Sequence, residues 1–182
     1  MPVELQEQEK LVLNVIQEYL NKNRIFNMKE ILPFITARFK MASIDINNRG
    51  IEEILKVLVN KKLIVEGSKL YRDDILINEK RNLIYEFIVK NPGTYFNRVV
   101  KVLNLSNHVI IWHLEILLKF EYIKKQNIDN HDIFFDFNYR LRNTELKYFT
   151  SKEKSKLIID YLKINDIGVV KTRLSTDLKL HI

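Results

Sequence analysis

The chain has 182 residues, 46% of them hydrophobic, enough for the core of one large domain or of two to three small ones. The absence of cysteine excludes disulfides, thiolate metal sites and a cysteine nucleophile. The net charge of +7 favours a polyanionic partner, and the excess sits late: Lys and Arg stand against Asp and Glu as 12 to 11 over residues 1–77, 8 to 7 over 78–137 and 10 to 5 over 138–182.

Only four Gly and three Pro argue against a turn-rich all-β fold, so a mainly helical chain with small β-hairpins (α+β) is expected. The apolar runs, such as 109–112, are far shorter than the roughly 18 residues of a membrane span, and a cytoplasmic location is expected.

The first predicted domain, 1–77, begins with helices over about 5–22, 28–41 and 47–61. Leu63-Ile64-Val65-Glu66-Gly67 and Lys69-Leu70-Tyr71 then read as a short hairpin. In the second, 78–138, Asn78 caps a helix over about 79–90 that turns Leu83, Ile84, Phe87 and Ile88 inward and ends at Asn91-Pro92-Gly93. A helix over about 95–102 follows, burying Phe96, Val99, Val100 and Leu103. After the tight turn Leu105-Ser106, Ser106 caps a third helix over about 107–120, with Ile110, Leu114 and Leu117 inward. Two strands, 122–126 and 133–137, flank a polar tip at 127–132. The last segment, 139–182, reads as a linker, then a helix over about 151–164 opened by a Thr150/Glu153 capping box, then an incomplete helix-turn-helix.

An internal repeat organises these elements. Leu83-Ile84-Tyr85-Glu86-Phe87-Ile88 with Asn91 returns 74 residues later as Leu157-Ile158-Ile159-Asp160-Tyr161-Leu162 with Asn165. A weaker copy occupies Val15, Ile16, Glu18, Tyr19, Leu20 and Asn23. After a one-residue insertion, Arg173, Leu174, Leu178 and Leu180 answer Arg98, Val99, Leu103 and Leu105. The third copy stops at His181-Ile182, where its third helix would begin, which reads either as a partial module or as a piece of a longer parent chain, the latter being expected.

The run Asn91-Pro92-Gly93-Thr94-Tyr95-Phe96-Asn97-Arg98-Val99-Val100, with Leu103-Asn104-Leu105-Ser106, Trp112-His113-Leu114-Glu115-Ile116-Leu117 and Phe120-Glu121-Tyr122-Ile123, resembles archaeal winged helix-turn-helix regulators of the arsenic-repressor-like type. The resemblance covers about 50 to 60 residues of the middle copy and implies transcription regulation on double-stranded DNA, the third helix lying in the major groove and the wing on the backbone; with the internal repeat it gives tandem winged-helix modules. On a helical wheel the outward stripe is His108, Trp112, Glu115 and Lys119, with Asn107 leading and Ile111 beside it. Asn107 and His108 are placed for base edges and Trp112 for stacking or a thymine methyl. Arg98, Lys101, Lys124 and Lys125 are the phosphate candidates, and Ser106, at the helix start, joins Asn107, His108, Ile111 and Trp112 among the expected DNA-binding residues. The basic last third adds Arg140, Arg142, Lys147, Lys152, Lys154 and Lys156.

The same stripe in the first module is Arg49, Glu52, Glu53, Lys56 and Asn60, which carries no net charge and points to a protein partner. Trp112 is expected to pack against the wing or a neighbouring module. Leu5, Val12, Val15, Ile16 and Tyr19 either pair two copies in a homodimer or close the first core. His113 is expected to be structural, and the scattered His108, His131 and His181 give no metal pair. Asp73-Asp74 reads as a linker turn. With no phosphate loop or nucleophile motif, neither enzyme activity nor a cofactor is expected. The alternative is a tandem winged-helix scaffold without DNA binding, similar to subunits of the second ESCRT complex or of RNA polymerase assemblies.

Overall fold

A computed structural model describes residues 5–22, 25–140, 142–165 and 167–180. In chain order, the elements are α1 (Glu7–Lys22), α2 (Met28–Met41), α3 (Asn48–Asn60), α4 (Glu79–Lys90), β1 (Thr94–Tyr95), α5 (Phe96–Leu103), α6 (Asn107–Lys119), β2 (Ile123–Ile128), β3 (His131–Asp136), α7 (Thr144–Ser151), α8 (Glu153–Ile164) and α9 (Lys171–Leu178). They form two units, residues 1–82 with 119–121, and residues 83–118 with 122–182.

In the first unit, Asn27 and Asn47 start α2 and α3 by accepting backbone N–H groups of the first helical turn, at 2.9 Å from Lys29 and 2.8 Å from Gly50. The three helices close on Val12, Ile16, Ile31, Ile35, Ile51, Leu55 and Leu58, all fully buried. Val12, Ile16 and Tyr19 are core residues, with Leu5 and Val15 packed against them. Of the two sequence readings of these α1 residues, closing the core is therefore the observed one. The expected hairpin is reduced to a single antiparallel bridge, Ile64 with Tyr71. The connecting loop spends its hydrogen bonds elsewhere: Gly67 N donates to Phe26 O and Phe26 N to Ser68 O, both at 2.8 Å.

Glu9 is buried in this unit and accepts Lys61 Nζ at 2.8 and 2.9 Å. That hydrogen bond holds its carboxyl below the ordinary value of 4.5. The pair thus stabilises the unit above that value, and the contribution is lost as pH falls through the lower, folded one. A thermal-unfolding series is expected to show an acid-labile component below pH 4.5 that Glu9→Gln removes; an identical acid limb in the variant would assign it to other carboxylates.

Helix α4 begins in the first unit and belongs to the second from Leu83 on; β1, α5, α6, β2 and β3 follow, and the three strands form an antiparallel sheet in the order β1-β3-β2. Asn78 Oδ1 accepts Arg81 N at 3.1 Å, the cap expected from the sequence. Ile84 and Ile88 are fully buried, but Leu83 is 47% exposed, one step off the inward stripe. The turn between α5 and α6 is made by Asn104, whose left-handed φ of 49° Asn tolerates well. The β strands run further into the tip than expected. Asn127 pairs with Asp132 and Ile128 with His131, leaving only Asp129 and Asn130, at φ 54° and 58°, as the turn. Two successive left-handed residues match the twist of a two-residue hairpin, which explains why so polar a tip stays paired.

The predicted linker at 139–150 is a correction: residues from Thr144 form α7, and Tyr148, 1% exposed, packs on Ile128, Ile133 and Phe135. Gly93, at φ +86°, makes room for it, since a Cβ there would lie 3.1 Å from the Lys147 carbonyl carbon. The Thr150/Glu153 capping box is not formed. Thr150 Oγ1 bonds back within α7 to Leu146 O at 2.8 Å, and Lys152 is the cap residue of α8 without a side-chain bond.

The repeat has local structural counterparts. Asn91 Nδ2 donates to Phe87 O and Asn165 Nδ2 to Tyr161 O, both at 2.9 Å. Gly93 and Gly168 both have positive φ, and Asn104 and Lys179 both sit at φ 49°. Asn23 and His181 lie outside the described residues.

Candidate nucleic-acid interface

Helix α6 is positioned by Ile110, His113, Leu114 and Leu117, all buried. The opposite face presents Asn107, His108, Ile111, Trp112, Glu115 and Lys119 as exposed residues, with Ser106 exposed just ahead of the helix. Ser106 O accepts Ile110 N at 3.1 Å, so the first turn begins there. Trp112 corrects one expectation: it is 52% exposed, beside Ile111 at 44%, because the inward positions of the turn belong to His113 and Leu114. Its ring lies 4.7 Å from that of His113, which the sequence placed inside as a structural residue. Beside Ile111 and Glu115, a groove of about 300 Å³ reaches Lys125, Asp132 and Phe134 of the hairpin.

The phosphate candidates each have an internal partner. Arg98 donates to Asn91 Oδ1 at 3.3 Å and lies over the Phe87 ring, 6.0 Å from its centroid. Lys101 Nζ meets Glu153 Oε1 at 2.9 Å; this hydrogen bond raises the lysine pKa and lowers that of the glutamate. Lys124 Nζ donates to Tyr139 O at 2.6 Å. Lys125 Nζ meets Asp132 at 2.7 Å, and that bond holds the Asp132 carboxyl below its ordinary range. Exposed pairs of this kind are worth little, so a phosphate can replace the carboxylate, and at the hairpin Asp132 offsets the charge of Lys125. The Lys101–Glu153 pair was not legible in the sequence, since 52 residues separate the partners.

On α3, Arg49, Glu52, Glu53, Lys56 and Asn60 are all exposed, and Arg49 pairs with Glu53 at 3.3 Å. Asp73 and Asp74 are exposed in a turn. Among the described residues no group of three His, Asp or Glu side chains is placed to hold a metal ion, and no helix is long and apolar enough to cross a membrane.

No known family model and no solved structure matches the chain. Among curated proteins it is 29% identical over 132 residues to an uncharacterized HTH-type transcriptional regulator of Methanocaldococcus jannaschii, a match covering 71% of this chain and 33% of that one. The chain thus spans about a third of that relative. It is also 32% identical over 147 residues to the ATP synthase subunit delta of Wigglesworthia glossinidia brevipalpis, covering 78% of this chain and 79% of that protein. The two matches must overlap here, yet they carry different functions, so likeness alone does not choose between them. With 24 Ile, 21 Lys and 18 Asn, about a third of this chain is of three residue types, a bias that raises identity with any chain sharing it. The α5–α6 arrangement supplies the independent observation: two helices joined by a tight turn are the feature the first relative's name specifies. The chain has helix-turn-helix character and is similar to a regulator of that class.

Proposed function

We propose that the chain is a cytoplasmic, non-enzymatic transcription regulator of archaeal type built from tandem winged-helix modules. The second module, 78–138, docks on double-stranded DNA through α6, and the first, 1–77, is left to a protein partner. The observation that carries this reading is the exposed leading end of α6, where Asn107 and His108 stand clear of the core on a helix-turn-helix. Phosphate contacts from Arg98, Lys101, Lys124 and Lys125 follow once their internal partners are displaced, and Arg140, Arg142 and Lys147, all exposed, add to the basic surface. The neutral face of α3 repels a phosphate backbone as much as it attracts one, which suits a protein surface.

Sedimentation of the chain with a labelled duplex tests this: the two should migrate together at low salt. Separate migration, with the chain instead joining a stoichiometric protein from native extract, supports the second reading, a subunit of a protein assembly without DNA binding. Two observations favour that alternative, the exposed apolar pair Ile111 and Trp112 and the likeness to an ATP synthase subunit.

A further inference from the structure

Between α5 and the start of α8, inside the second unit, lies a cavity of about 500 Å³, a size typical of small-ligand sites. Arg98, Lys101, Lys152 and Lys154 line it, with Glu153 and Ser155. Four cationic side chains thus line the depression with one carboxylate, and of the four Lys101 and Arg98 act on Glu153. Glu153 already behaves as an anion in the site: it accepts from Lys101 at 2.9 Å and also feels Arg98. Both members of the pair are open to water, at 69% and 74% side-chain exposure, so Glu153 can leave without exposing any core. Lys152 is held to the cavity wall by the Tyr148 ring, 4.4 Å away, and by Asp129 at 3.7 Å.

We propose that this cavity binds the phosphoryl group of a small phosphorylated ligand, and that the Glu153 carboxylate is the internal stand-in which such a ligand displaces. A phosphoryl group brings close to two negative charges and three acceptor oxygens, more than one carboxylate offers to Arg98 and three lysines. Arg98 and Lys101 also belong to the proposed DNA contact, so a phosphoryl ligand and a duplex compete for them. The inference goes beyond DNA binding and does not depend on it.

Calorimetric titration of the full chain with pyrophosphate, in the absence of DNA, tests the site. Saturable one-site binding is expected, tightened about tenfold by Glu153→Gln and weakened at least about tenfold by Lys101→Ala with Lys154→Ala. Circular dichroism on each variant separates lost binding from lost folding. The proposal is overturned by the absence of saturable binding at millimolar pyrophosphate, or by affinity that none of these substitutions changes, which marks diffuse attraction to the net charge.

Discussion

Asn107→Asp combined with His108→Glu is expected to weaken duplex binding by about a hundredfold, since lost base-edge contacts are worth about 1–3 kcal/mol each and the new carboxylates face phosphate. Both positions are exposed at the start of α6. Acidic residues are favourable in a helix's first turn, so the fold should be kept or slightly strengthened while binding is lost. Arg49→Glu on the exposed face of α3 changes the net charge by the same two units and serves as the control. If the reading of the second module is right, the control retains nearly all its affinity in an anisotropy titration. Equal loss in the two variants would mean that net charge, and not α6, governs binding.

Tyr148→Ala is expected to destabilise the second unit by about 3–5 kcal/mol, the range for truncating a buried large aromatic side chain. Domains have only about 5–15 kcal/mol to lose, so the substitution removes a large fraction of the unit's stability. The cost arises because the ring, 1% exposed, closes the cluster of Ile128, Ile133 and Phe135 against the hairpin. Urea denaturation followed by fluorescence measures it. A change below about 1 kcal/mol would show that α7 is an appendage to the sheet and not part of its core.

The helices were legible because their apolar residues recur at helical spacing, and for α4 because Asn78 caps its start; the caps Asn27 and Asn47 of α2 and α3 emerge only in the structure. The hairpin of the second unit was legible for a related reason, with Ile and Phe grouped on either side of a polar turn. What escaped was decided by long-range packing. Residues 139–150 carry few aliphatic side chains, and α7 exists because Tyr148 finds a pocket made by the sheet and Gly93 lets the backbones approach. The first hairpin is reduced to one bridge, Ile64 with Tyr71, while its loop bonds the Phe26 backbone, a segment some 40 residues away.

The candidate site divides in the same way. Which residues of α6 face outward followed from periodicity, as the exposure of Asn107, His108, Ile111 and Glu115 illustrates. Trp112 follows the outward stripe more than its residue type: large aromatics are usually covered, and this one is about half exposed, at 52%. The partners of Arg98, Lys101, Lys124 and Lys125 depend on which carboxylates and carbonyls the fold brings alongside, which charge counting alone does not reveal.

Fluorescence anisotropy of a random-sequence duplex several helical turns long, titrated with the chain across salt concentrations and with genomic competitor, is the most direct test of DNA binding. The account predicts association whose log constant falls linearly with log salt, with a slope corresponding to several phosphate contacts. No association even at low salt would contradict it and would leave the positive charge as a solubility feature of a protein-binding chain.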